Sequence, residues 1–129
     1  MSIDSTLRRR AIPLLVGLIV EALVGSLLSN TNPYNLAYLG THIGLALLIV
    51  VFSGYALILS LRRSKASARA AAGLTFITTL GATVSGTVFL LGGSSPIALD
   101  AMQALAVVAI LGAILLMVFG AVPSPRPTA

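Results

Sequence analysis

Residues 11–28 read AIPLLVGLIVEALVGSLL, eighteen residues in which Glu21 is the only charge. At 1.5 Å per helical residue this run spans about 27 Å, close to the ~30 Å hydrocarbon core of a bilayer. A carboxyl at mid-depth is costly against lipid tails, so such a group is expected to face other protein and to have a task. The stretch therefore predicts a membrane-spanning helix, and it predicts companion helices to enclose Glu21.

Working outward, three more apolar runs qualify as spans, over residues 36–61, 70–91 and 97–122. Short connections separate them: 29–35 (SNTNPYN), 62–69 (RRSKASAR) and 92–96 (GGSSP). Asn32 before Pro33, and Ser95 before Pro96, have the pattern of a cap followed by a first helical residue. The expected fold is all-α, an integral membrane up-down-up-down four-helix bundle over residues 11–122. A basic segment, 1–10, precedes it. A proline-rich tail, 123–129, follows and is expected to be disordered. An offset of about 61 residues sets Gly25 and Ser26 against Gly86 and Thr87, and His42 against Gln103. That offset hints at two duplicated helical hairpins.

Composition excludes a soluble domain. The 129 residues are 57% hydrophobic and 9% charged, with a mean hydropathy of +1.06, whereas soluble domains carry about 25% charged residues. With no cysteine, disulfides, thiolate-held iron–sulfur clusters and thiol nucleophiles are excluded. The net charge of +5 is explained by topology rather than by nucleic acid. Arg8, Arg9, Arg10, Arg62, Arg63, Lys65, Arg69 and Arg126 all fall on one side of an even number of spans, and the opposite turns are uncharged. The positive-inside rule then places both termini in the cytoplasm of a cell-membrane protein. Tyr34, Tyr38 and Tyr55 are the expected interfacial aromatics. Three arginines before an apolar run also resemble a signal peptide, but Glu21 interrupts the run and no small-x-small cleavage pattern follows Leu28. The first span is expected to be retained.

Few side chains can carry chemistry. Gly17 and Gly25 lie one turn to either side of Glu21 on the same helix face and allow a neighbouring backbone to approach. His42, the single histidine, lies ten residues past Asn32, and Glu21 lies eleven before it. Both therefore sit about 15 Å from the turn, at equal depth. Equal depth permits a contact between antiparallel helices and does not establish facing. Gly40 and Gly44 form a GxxxG on roughly the opposite face from His42, where close packing is expected. Asp100 lies near the start of the fourth helix, in keeping with a role at the positive end of the helix dipole. Gln103 goes deeper on the same face, beside Met102. Thr75, Thr78, Thr79, Thr83, Ser85 and Thr87 on the third span are expected to bond back to their own helix, with Thr75, Thr79, Ala82 and Gly86 facing the bundle. No phosphate loop, HExxH, serine–histidine–acid set or zinc spacing occurs, so no catalytic residue is assigned.

A histidine on the second span, in LGTHIGLALLIVVFSGYALIL, resembles small b-type membrane cytochromes and half-length haem A synthases. Those families pair histidines, and here Met102 or Gln103 stands where a second ligand would fall. The resemblance implies haem held by His42 and Met102, or shared between two copies of His42 in a homo-oligomer. Three functions are then open. One is an accessory or assembly subunit of a larger membrane complex, respiratory in type. Another is a haem-binding electron-transfer or haem-handling protein, with His42 as the metal ligand. The last is a proton-coupled transporter using Glu21, His42 and Gln103 as its intramembrane polar site.

Overall fold

A computed structural model describes residues 3–30, 35–92 and 95–120 of the chain. Four helices account for nearly all of them: α1 (Ile3–Ser29), α2 (Leu36–Arg63), α3 (Ala66–Leu91) and α4 (Pro96–Phe119). All four are long and apolar enough to cross a membrane. Each packs against its two neighbours in a closed ring, α1 on α2, α2 on α3, α3 on α4 and α4 on α1, while the diagonal pairs do not meet. This is the expected up-down bundle. The two ends differ. One carries the start of α1, the α2–α3 connection and the end of α4, and is called here the terminal end; the other is the hairpin end.

Helix limits depart from the hydropathy limits at the terminal end. The connection expected over residues 62–69 shrinks to Ser64 and Lys65, because α2 runs on to Arg63 and α3 begins at Ala66. Likewise α1 begins at Ile3 and carries Arg8–Arg10 within it. Arginine, alanine and serine cost little in a helix, so charge marks where the apolar stretch stops and the backbone spiral continues past it. Pro13 removes one ladder hydrogen bond without ending α1. At the hairpin end, Asn35 caps α2, its Oδ1 accepting from the backbone N–H of Ala37 at 2.9 Å and of Tyr38 at 3.3 Å. Asn32 and Pro33 lie outside the described residues, as do Arg126 and the tail. Ser95 occupies the N-cap of α4 with Pro96 following, but its hydroxyl makes no capping bond.

Burial is concentrated at the terminal end. Ala11, Ala56, Ala68, Ala71, Ala72 and Leu116 form one cluster. Leu14, Leu18, Ile49, Ala109 and Ala113 form the next layer inward. Most of these are alanines, so the helices approach closely. At the tightest point α4 presents Gly112 to Thr75 of α3, where an added Cβ would lie 2.5 Å from Thr75 Oγ1 and 3.2 Å from its backbone nitrogen. The Arg10 guanidinium stacks over the Tyr55 ring at 4.6 Å and ties α1 to α2. Of the buried hydroxyls, Ser53, Ser60 and Thr75 donate to the carbonyls of Val50, Leu57 and Ala71, while that of Ser64 in the α2–α3 connection has no partner among the described residues. Towards the hairpin end, beyond the level of Leu18 and Ala109, the buried apolar residues are Leu28 and Ala98. The bundle is a wedge, closed at the terminal end and splayed at the hairpin end.

The splay explains a second departure. Gly40 and Gly44, expected to pack closely, have nothing within 4 Å of an added Cβ. They sit on the spread half of α2, and the close glycine contacts are made elsewhere. Outward-facing apolar side chains such as Leu36, Leu91 and Ile97 are at least four-fifths exposed. Such a surface is compatible with lipid and not with water.

These contacts predict that Gly112→Ala loses about 1–3 kcal/mol through overpacking, since the obstructing atoms include backbone. Gly44→Ala should leave stability unchanged. Thermal unfolding in detergent checks the pair, and equal midpoints for the two variants would contradict this packing.

Candidate functional site

Antiparallel pairing of α1 and α2 sets Gly17 against Ile49 and Gly25 against His42. Glu21 lies between the two glycines, and the imidazole reaches it along α1. Nδ1 of His42 is 2.8 Å from Oε1 of Glu21. Both side chains are mostly buried, at 17% and 15% exposure. The expectation of equal depth thus resolves into facing. Gly25 makes this possible: a Cβ there would lie 3.1 Å from Cε1 of the ring, so the imidazole rests on bare backbone. The contact is short but angled. Nδ1 has no hydrogen bond of good geometry, and Oε2 of Glu21 is buried with no partner. An unmet buried acceptor is costly, which marks this spot as unfinished by the chain's own groups.

The pair forms part of the wall of a 460 Å³ cavity in the splayed half, bounded by all four helices. Leu18, Ile49, Thr79 and Ala109 floor it. Above that floor, one alanine from each helix lines it, Ala22, Ala46, Ala82 and Ala106. Antiparallel register puts these four at one level, beside Glu21. The void exists because that layer has only methyl groups where a leucine layer would fill the centre. This alanine layer was not singled out from sequence, although one small residue per span at matched distance from the turns was there to be read.

Met102 and Gln103 of α4 also line the cavity. His42 and Met102 belong to the diagonal helices α2 and α4, so they occupy opposing walls. The Met102 sulfur lies against α3, 3.0 Å from where a Cβ on Gly86 would be. Each hairpin therefore rests a side chain of its second helix on a glycine of its first, His42 on Gly25 and Met102 on Gly86. Thr79, Thr83 and Thr87 line the α3 wall, their hydroxyls donating to the carbonyls of Thr75, Thr79 and Thr83. Asp100 is exposed and outside the cavity lining.

Among the described residues there is no group of three or more His, Cys, Asp or Glu side chains able to hold a metal ion. On the cavity wall, His42 and Glu21 are the two side chains of those types that a bare ion would meet. The arrangement is suited instead to an organic ligand, which it can grip through apolar walls and address through one imidazole and one carboxyl. Comparison with protein families, with curated proteins and with solved structures gives no match.

Because the chain has one histidine, its imidazole ¹⁵N spectrum reports this ring alone. Gly25→Ala is expected to push the ring off α1 and shift that spectrum, as is Glu21→Gln, whereas Gly44→Ala leaves it unchanged. A spectrum indifferent to Gly25→Ala and Glu21→Gln would dissolve the pair.

Proposed function

We propose that this membrane protein binds a lipid-soluble small molecule in its hairpin-end cavity, with the Glu21–His42 pair as the polar contact. The observation that carries the reading is the position of the pair on a cavity wall. A carboxyl and an imidazole serving only to join helices would be closed in a seam. A purely structural accessory subunit of a respiratory or other membrane complex has no need of such a void, so ligand binding takes precedence over that role. Coupled proton transport has less support. Below the pair, the cluster of Leu14, Leu18, Ile49, Ala109 and Ala113 fills the bundle, and the buried hydroxyls of Ser53, Thr75 and Thr79 are held by carbonyls of their own helices. The basic residues at the terminal end argue for cytoplasmic termini and for a cavity in the outer half of the membrane.

Haem is the second reading, supported by His42 and Met102 on opposing walls. With Nδ1 turned to a carboxylate, Nε2 is the nitrogen left for a metal, the orientation usual for ligating histidines. Haem would supply one-electron chemistry. Glu21 would orient the ring, and the apolar walls would hold the macrocycle.

A panel of a fatty acid, a fatty alcohol, an alkylphenol and haemin distinguishes these readings. At a hundred-fold excess over Kd, a bound ligand adds about 2.7 kcal/mol to stability, so at least one compound should raise the unfolding midpoint of the wild type. Ala106→Phe, which fills the cavity, should abolish the rise. A Soret band from haemin that is lost in His42→Ala would select haem. No stabilisation by any of the four would refute the cavity reading.

A further inference from the structure

Resting on the ligand site proposed above, the route of a ligand and the chemistry of its polar end follow from two features of the same cavity. The first concerns the seam between α2 and α3. In its terminal half the seam is shut: a Cβ on Gly54 would lie 3.2 Å from the Phe76 ring, and one on Gly73 would lie 4.0 Å from Leu57. The α2 face that carries Gly54 continues towards the hairpin end through Leu47, Ile43 and Gly40, at seven, eleven and fourteen residues' distance. These positions ought to meet α3. Instead Leu47 is 57% and Ile43 43% exposed, and Gly40 has open space around it. On α3 the face of Phe76 continues through Leu80, Thr83, Thr87 and Leu90, and of these Leu80, Thr87 and Leu90 are exposed.

Ile43, Leu47, Thr83 and Leu90 face this gap and also line the cavity. The cavity wall is therefore breached between α2 and α3. Over the same stretch two seams hold: Gly81 meets Leu105 at 3.1 Å and Gly86 meets Met102 at 3.0 Å across α3–α4, while Gly25 meets the His42 ring across α1–α2. Along α1–α4 the exposed residues that line the cavity are small or polar, Ala22, Ser26, Ser29 and Gln103, so the α2–α3 opening is the apolar one of the two. Leu47 lies eleven residues into α2, about 17 Å from its start, so the breach opens at the depth of lipid tails.

The second observation is the carboxyl oxygen Oε2 of Glu21, buried without a hydrogen-bond partner. The α3 hydroxyls on the wall are already committed to their own backbone carbonyls. The other side-chain donors on the wall, Ser26, Ser29 and Gln103, make no hydrogen bond to Oε2, so a ligand hydroxyl can supply the missing donor. We infer that a lipid-soluble alcohol or phenol enters from the bilayer through the α2–α3 gap, donates its O–H to Oε2 of Glu21 and leaves its hydrocarbon part in the cavity and gap.

The test uses the full chain in lipid nanodiscs with a long-chain alkylphenol, a fatty alcohol and the methyl ether of each. Both hydroxyl compounds, or one of them, should bind about ten-fold or more tightly than the matching ether, the worth of a hydrogen bond to a charged or otherwise unmet group. Glu21→Gln should narrow that ratio. The comparison of hydroxyl with ether on the wild type stands even if the variant fails to fold. Because the chain has no cysteine, Leu47→Cys with Thr83→Cys can be bridged by a short bifunctional thiol reagent. Bridging should slow association and release at least several-fold against the same protein unbridged. Equal binding of hydroxyl compounds and ethers would overturn the head-group assignment and leave the cavity standing. Hydroxyl-selective binding at rates unaffected by the bridge would overturn the route. Failure of all four compounds to bind would overturn this inference, and failure of the fatty acid and haemin as well would remove the cavity reading itself.

Discussion

A carboxyl group in the hydrocarbon core has to be enclosed by protein, and enclosure by four apolar helices is what this bundle provides. Glu21 sits on α1 between Gly17 and Gly25, which hold α2 close enough for the His42 ring to reach it. Hydrocarbon offers neither group a partner, so the geometry of two helices is tied to one polar contact. Other features follow from the same constraint. The helices must be close at the level of the pair on one side, and the alanine layer beside it leaves the centre of the bundle empty.

The two halves of the molecule perform different work. In the terminal half, alanine and glycine contacts such as Gly112 on Thr75 bring backbones together, and van der Waals packing carries the stability, as it must where lipid removes the hydrophobic difference between inside and outside. In the hairpin half that density is given up. Poor packing costs stability, and the closed half has to offset it. The open half gains a cavity, a polar contact at its wall and a lateral breach between α2 and α3. Local looseness next to a firm core is the usual setting for binding.

Most of the fold was legible because hydropathy and turn chemistry agree on four spans. The limits at the terminal end were not. Residues 62–69 look like a loop by charge, yet Arg, Ala and Ser continue a helix without penalty, leaving Ser64 and Lys65 as the connection. Gly40 and Gly44 misled for a related reason: a GxxxG identifies a face where backbones can approach, and says nothing of whether a partner is there. For the site, counting residues from the turn gave the depth of Glu21 and His42 correctly. Their facing required the rotation of each helix about its axis, which is set by all the contacts of the bundle together. The alanine layer stayed hidden because Ala22, Ala46, Ala82 and Ala106 are unremarkable singly and form a void only when four spans are brought level.

The site depends on the meeting of one carboxyl with one imidazole inside the bilayer. Glu21 and His42 are the only glutamate and the only histidine in the chain, so labelling by residue type addresses this pair and nothing else. With ¹³C in the glutamate carboxyl and ¹⁵N in the histidine ring, dipolar recoupling by solid-state NMR in lipid bilayers should give a strong coupling to Nδ1, as the 2.8 Å approach of Nδ1 to Oε1 requires. Absence of that coupling, with both labels incorporated and the helices intact, would contradict it.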